Sequence, residues 1–248
     1  MARLCRLRLL ERIGRRWPTV SQTRRFGELE LEFTRVADPD RVLDQIIAEE
    51  DRREKLTGVR LADPPHLPYW AELWESAAGM AARLARGPHL RGMRVLDLGC
   101  GMGLAGAAAA ARGAEVLLAD LEAPALLFAR LNTLAFEPRV RTRQLDWRVD
   151  RLGERFDLIL GSDILYERGQ WEYLERFWVA HLASGGAVIL GEPGRQTGDL
   201  FLSWIRERGW GITMGSETIE GRDKPIRIFE LSRIFHRGDA EIAENTNS

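Results

Sequence analysis

The chain has 248 residues, enough for one large domain or two small ones and for a substantial core. Hydrophobic residues at 45%, charged residues at 29% and a net charge of −1 are ordinary for a globular protein and exclude a surface built throughout for nucleic acid. No apolar run approaches the roughly 20 residues of a spanning helix, and Cys5 and Cys100 are too few for a disulfide framework or a four-cysteine metal site, which points to a reducing compartment.

The charge is uneven. Residues 1–25 carry eight arginines and one acid, Glu11, so they hold +7 and leave −8 to the rest. Leu4, Leu7, Leu10 and Ile13 recur there at helical spacing. This stretch reads first as a plain structural or disordered tail, with a transit peptide or a basic arm as alternatives. The location expected is cytoplasmic, or mitochondrial if the leader is a transit peptide and the source is eukaryotic.

Residues 28–36 alternate Leu29, Leu31 and Phe33 with Glu28, Glu30 and Glu32, the pattern of a half-buried strand. Asp38-Pro39 predicts an N-cap with proline at the first helical position, opening a helix that runs to about Lys55. Asp63-Pro64-Pro65 through Pro68 is a stiff extended link. A small-residue helix is expected over 76–86.

From Met93 strands and helices alternate regularly. Strands are expected over 94–98, 115–119, 140–145, 156–161 and 187–191. Helices are expected over 104–112, 124–136, 171–182 and 197–208. Two late strands, 211–218 and 226–235, leave no room for a helix between them. They form an antiparallel hairpin closing a mostly parallel sheet. The order is that of a doubly wound α/β fold.

The central motif is Val95-Leu96-Asp97-Leu98-Gly99-Cys100-Gly101-Met102-Gly103. Glycines at a strand-to-helix turn let backbone amides approach an anion. Gly101, Gly103 and Gly106 also spell a dinucleotide fingerprint, with Asp120 near the distance of its ribose-binding acid. Asp97 shifts the balance, because a carboxylate at the strand mouth repels a pyrophosphate and favours an ammonium. S-adenosylmethionine has an ammonium, a carboxylate and a sulfonium, and no phosphate. Asp97 can complement its ammonium, the loop amides its carboxylate, and Asp120 its ribose hydroxyls. The plain alternative is a capped glycine turn with no ligand.

At these residues the chain resembles the class I, seven-strand S-adenosylmethionine-dependent methyltransferases. Four further elements are similar to family 16 of that group: Pro68-Tyr69-Trp70-Ala71-Glu72-Leu73-Trp74, Leu145-Asp146-Trp147, Asp163-Ile164-Leu165-Tyr166 and Gly191-Glu192-Pro193-Gly194-Arg195. That family consists largely of protein-lysine methyltransferases with an Asp-x-x-Tyr motif. It includes enzymes of the electron-transfer flavoprotein β subunit and nicotinamide N-methylase-like bacterial relatives. The resemblance covers residues 67–235. One departure is Glu192, where relatives more often carry Asp.

The resemblance implies a Rossmann-like seven-stranded, mostly parallel sheet with an antiparallel C-terminal hairpin and an N-terminal strand and helix extension. It divides the chain into a leader (1–25), an extension and lid (26–92), a cofactor-binding catalytic domain (93–236) and a polar tail (237–248). Cofactor binding is expected of Trp74, Asp97, Gly99, Gly101, Gly103, Asp120, Leu121, Asp146 and Trp147, with Asp146 on the adenine amine and Trp147 beside the base. Trp74 is read as part of a lid along the cofactor's methionine end, while Tyr69 and Trp70 are read as packing residues.

Asp163, Tyr166 and Glu192 are expected at the acceptor. A carboxylate there orients an amine and raises its pKa, so deprotonation must come from desolvation or loss to water. The implied partner is a protein lysine, or alternatively a small basic or heteroaromatic amine. A dinucleotide-binding or non-catalytic module is the remaining alternative. No nucleic-acid partner is expected. His66, His89, His181 and His236 show no metal-ligand spacing. Trp171, Trp178, Trp204 and Trp210 are read as core.

Overall fold

The computed structural model describes residues 2–58 and 67–233. The proline link at 63–65, His66, His236, the end of the last expected strand and the 237–248 tail lie outside the described residues.

The chain opens with helix α1 (Ala2–Gly14) and a hairpin of β1 (Thr19–Phe26) and β2 (Leu29–Val36). Residues 2–25 are thus structural, the first half of the expectation, and not a disordered leader. Leu9, Ile13 and Trp17 turn one side of the arginine-rich stretch into the core, leaving Arg3, Arg8, Arg12, Arg15 and Arg16 exposed. The charge conceals a narrow apolar stripe, which is enough to dock a helix. β1 was invisible because Thr19-Val20-Ser21-Gln22-Thr23 lacks a clear apolar alternation. Its pairing comes from β2 through a two-residue turn with Gly27 at φ 62°, as short hairpin turns require.

Helix α2 (Pro39–Thr57) starts as expected, with Asp38 accepting from the Arg41 amide at 3.2 Å, and stops at Gly58 in the left-handed conformation. Helix α3 (Glu75–Arg86) follows. Then come β3 (Arg94–Leu98), α4 (Leu104–Ala111), β4 (Glu115–Asp120), α5 (Ala123–Thr133), β5 (Val140–Gln144) and β6 (Phe156–Ser162). The chain continues with α6 (Trp171–His181), β7 (Leu182–Glu192), α7 (Gln196–Arg206), β8 (Trp210–Glu217) and β9 (Ile226–Arg233). The seven-stranded sheet has the order β5-β4-β3-β6-β7-β9-β8. β9 is antiparallel to both β7 and β8, and the other pairings are parallel.

Alternation along the strands splits the core into two layers. Val95, Val116, Leu118, Leu158 and Leu160 face the layer of α3, α4 and α5, which also takes in Ile13, Trp17 and Phe33 from the N-terminal elements. Leu96, Leu98, Leu117 and Ile159 face α6 and α7, where Trp171, Phe177, Trp178 and Phe201 are fully buried. Trp171, Trp178 and Trp210 are core residues, as expected, and Trp204 packs against them. His181 is also internal, its Nε2 accepting from the Leu152 amide at 2.8 Å. β3 pairs with β4 on one side and β6 on the other, so the strand order reverses there. A crevice opens at such a point, beyond the carboxyl ends of the strands.

Candidate active site

The crevice is a cavity of about 510 Å³, within the range of small-molecule sites. Gly99, Gly101, Asp120, Leu121, Asp146, Trp147, Asp163, Tyr166 and Trp74 all border it. Nine of the twelve residues singled out from the sequence therefore converge on one space. Asp97, Gly103 and Glu192 do not line it.

The glycine loop follows β3 with Gly99 at φ 66° and Gly101 at φ 52°. A Cβ on Gly101 would meet nothing within 4 Å, so its backbone is bare toward open space. Asp120 fixes this loop: its Oδ2 accepts from the Gly101 amide at 2.8 Å and its Oδ1 from the Glu122 amide at 2.9 Å. Each oxygen keeps a second acceptor position. Burial pushes the Asp120 carboxyl up to about 6, against the pull of those amides.

Asp97 lies behind the loop. Its Oδ2 accepts from the Gly106 amide at 2.8 Å, whereas its buried Oδ1 has no partner among the described residues. Burial raises its pKa to about 7. Gly103, expected at the cofactor, does not line the cavity and serves the packing of two helices. Its φ is 83°, and a Cβ there would come within 2.9 Å of Ala129 Cα, so glycine lets α4 and α5 approach.

Asp146 borders the cavity with its carboxylate held by Arg148 at 2.7 Å. Trp147 stands over Gly99, and its Nε1 donates to Gln170 Oε1 at 3.2 Å. Across the cavity mouth, Trp74 Nε1 donates to the Tyr69 carbonyl at 2.9 Å. Trp70 is buried as expected, but Tyr69 is a rim residue, correcting its packing assignment. It is 46% exposed, with its ring edge-on to Tyr166 at 5.5 Å and Trp74 at 6.1 Å.

Asp163 is the one non-glycine residue at positive φ (59°) among the described residues. Its amide donates to the Gly191 carbonyl at 2.9 Å, so β7 holds the turn after β6. Its side chain is ion-paired with Arg195, whose guanidinium also lies 5.7 Å from the Trp74 ring. Burial still leaves the Asp163 carboxyl above its ordinary pKa, despite Arg195. Burial likewise raises Tyr166, which keeps its hydroxyl protonated.

Glu192, expected at the acceptor, does not line the cavity. Its buried carboxylate accepts from the Gly194 amide at 2.8 Å, the Arg195 amide at 2.5 Å and Arg227 Nε at 2.6 Å. It ties down the loop that presents Arg195. Arg195 was not singled out from the sequence, although it closes the Gly191–Arg195 motif; nothing in residue type or spacing shows that its side chain turns toward Asp163.

The residues that border the cavity fit S-adenosylmethionine in part: open acceptor positions on Asp120 for ribose, and Trp147 with Asp146 for a base. The Cys100, Gly101 and Gly103 amides of the loop are already engaged within the chain, and the unpartnered Asp97 oxygen lies behind the loop. Among the described residues no three His, Cys, Asp or Glu side chains cluster to hold a metal ion.

Fold and site together define a protein of the seven-strand methyltransferase class. A family model described as lysine methyltransferase (methyltransferase family 16) matches residues 70–206, and the chain belongs to that family. It is 33% identical over 138 residues to an electron transfer flavoprotein beta subunit lysine methyltransferase of Danio rerio, covering 52% of this chain and 51% of the relative. It is 36% identical over 129 residues to protein N-lysine methyltransferase METTL21A of Danio rerio, covering 48% and 58% respectively. The chain thus spans about half the length of the curated relatives it matches. Its fold is that of the glycopeptide N-methyltransferase MtfA, with a TM-score of 0.56 at 16% identity, over 70% of this chain and 100% of MtfA. Among the described residues no helix is long and apolar enough to cross a membrane.

Proposed function

We propose that the protein is an S-adenosylmethionine-dependent N-methyltransferase acting on the lysine side chain of a protein. The observation that carries this reading is Asp163. Its carboxylate borders the cofactor cavity and already holds a cation between itself and the Trp74 indole. That is a site for an alkyl cation rather than for a neutral heteroaromatic ring. The family and the names of its relatives support a lysine acceptor.

The cofactor supplies a methyl group already activated on a sulfonium. The chain's own work is to place the acceptor nitrogen and to dry it. Asp163 draws the lysine in and orients it by hydrogen bonding. Because a carboxylate stabilises the ammonium, the proton has to leave by desolvation against Trp74, Tyr69 and Tyr166 and passage to water.

Incubating the protein with labelled S-adenosylmethionine and a cell lysate, then mapping the modified residue, tests the assignment. Label on lysine of a protein is the expected result. Label confined to a small heteroaromatic amine overturns the acceptor assignment. Binding of NAD with no response to S-adenosylhomocysteine overturns the cofactor assignment.

A further inference from the structure

A second cavity, about 440 Å³, lies on the far side of Trp74 and Asp163. These two residues line both cavities, so they form the partition between them. The remaining wall of the second cavity includes Glu72, Glu75, Arg195 and Arg222. Its mouth is open, with Glu72 and Glu75 exposed.

Arg195 sits at the partition. Its guanidinium is paired with Asp163, which is 6% exposed, and lies over the face of Trp74, while Arg195 itself is 38% exposed. A carboxylate below and an indole face alongside are the two contacts by which a protein recognises an alkylammonium. The loop carrying Arg195 is fixed from behind. Glu192 takes the Gly194 and Arg195 amides, and Arg222 donates to the Pro193 carbonyl and pairs with Glu75 at 2.8 Å. The backbone is anchored, while the long side chain reaches out from it to Asp163.

We propose that Arg195 is an internal stand-in for the acceptor's cation, and that the second cavity is the route by which the acceptor arrives and displaces it. This rests on the lysine-methyltransferase reading above. Displacement swaps one cation for another on Asp163, so that the carboxylate is not left buried and unpaired during the exchange. The exposed Glu72 carboxylate on the same rim can receive the released guanidinium. The device also selects: a neutral amine brings no charge to replace Arg195. Arg195 is thus a positioning and specificity residue, not a catalytic one.

The test uses the full chain and n-butylammonium chloride as the probe, by calorimetry with and without S-adenosylhomocysteine. Arg195→Gln removes the internal competitor at similar length, and Arg195→Lys retains a cation. If Arg195 occupies the site nine-tenths of the time, Arg195→Gln binds butylammonium about tenfold more tightly than the unaltered chain. Arg195→Lys stays near the unaltered value. Butylammonium binding to Arg195→Gln that is no tighter, or weaker, overturns the proposal. A second measurement needs no variant: saturating butylammonium must shift the Arg195 Nε–H signal in the unaltered chain, and an unmoved signal overturns the proposal. Failure of the cofactor assignment is read separately, as absence of S-adenosylhomocysteine binding in all three proteins.

Discussion

Thr34 and Asn132 hold each other by two hydrogen bonds, from the Thr34 amide to Asn132 Oδ1 at 2.7 Å and from Asn132 Nδ2 to the Thr34 carbonyl at 2.9 Å. The side-chain amide of Asn132 thereby pairs with β2 as a neighbouring strand would. The same Nδ2 donates to the Met102 carbonyl at 2.9 Å, inside the glycine loop. One buried side chain on α5 therefore joins the N-terminal hairpin to the cofactor loop. Asn132→Leu strips partners from three backbone groups, so unfolding in urea should show a loss of about 2–3 kcal/mol or more. S-adenosylhomocysteine should bind more weakly as well. Unchanged stability and affinity would show that water or a neighbour replaces Asn132.

Asp97 and Asp120 give a pH dependence of unusual sign. Burial raises both carboxyls, to about 7 and about 6, so the folded chain binds more protons than the unfolded one between pH 4 and 7. Stability of the ligand-free protein should fall as pH rises through this window. Asp97→Asn should flatten the upper part of the curve. A ligand with an ammonium for Asp97 and hydroxyl donors for Asp120 favours the ionised forms. S-adenosylhomocysteine should therefore bind more tightly at pH 7.5 than at pH 5.5, with release of protons, read by calorimetry in buffers of different ionisation enthalpy. Affinity that is flat over the window removes Asp97 from the ammonium.

Asp163→Asn keeps the side-chain shape and a residue type that tolerates positive φ, but loses the charge. Turnover should fall by about 100-fold or more, because the acceptor nitrogen is no longer held. The dissociation constant of S-adenosylhomocysteine should stay within about threefold, since the cofactor contacts lie on other residues. A variant with full turnover takes Asp163 out of the site.

Glu192→Ala leaves Arg227 without its most buried partner and frees the Gly194 and Arg195 amides. Breaking a buried pair of this kind costs about 3–5 kcal/mol, visible as a lower melting temperature. Glu192→Gln is the milder case. It retains hydrogen bonding to Arg227, so it should melt between the two and show a raised KM for the acceptor as the Arg195 loop loosens. A Glu192→Gln protein with ordinary melting but no turnover would restore Glu192 to the catalytic group.

The alternating strands and helices after Met93 were legible because β3, β4 and β6 are largely apolar runs between helical stretches, and these three strands fall within one or two residues of expectation. The cofactor side of the site was legible for a related reason: its residues sit at strand ends, and strand ends mark the crevice. Two kinds of feature were hidden. One is the N-terminal helix and β1, where many arginines mask the few apolar residues that dock. The other is the direction in which a charged side chain turns. Glu192 and Arg195 are three residues apart in a single motif, yet the carboxylate turns into the protein toward Arg227 and the guanidinium turns to Asp163. Residue type and spacing cannot separate those outcomes, because they depend on which opposite charge β9 or β6 brings near. Gly103 shows the same limit, since the approach of α5 is a property of the packed pair of helices.

Trp17 lies edge-on to Trp70 at 5.2 Å and within 6.2 Å of Phe128, while Trp70 is next in sequence to Tyr69 on the cavity rim. The arginine-bearing opening of the chain thus acts as a brace behind one wall of the site. A shortened protein cut at the limits of the family match would lose that brace along with β8 and β9, and its rim aromatics would stand on an unsupported wall. Conversely, a disturbance at Trp17 is felt at residues 69–74 through Trp70, although Trp17 itself does not border the cavity.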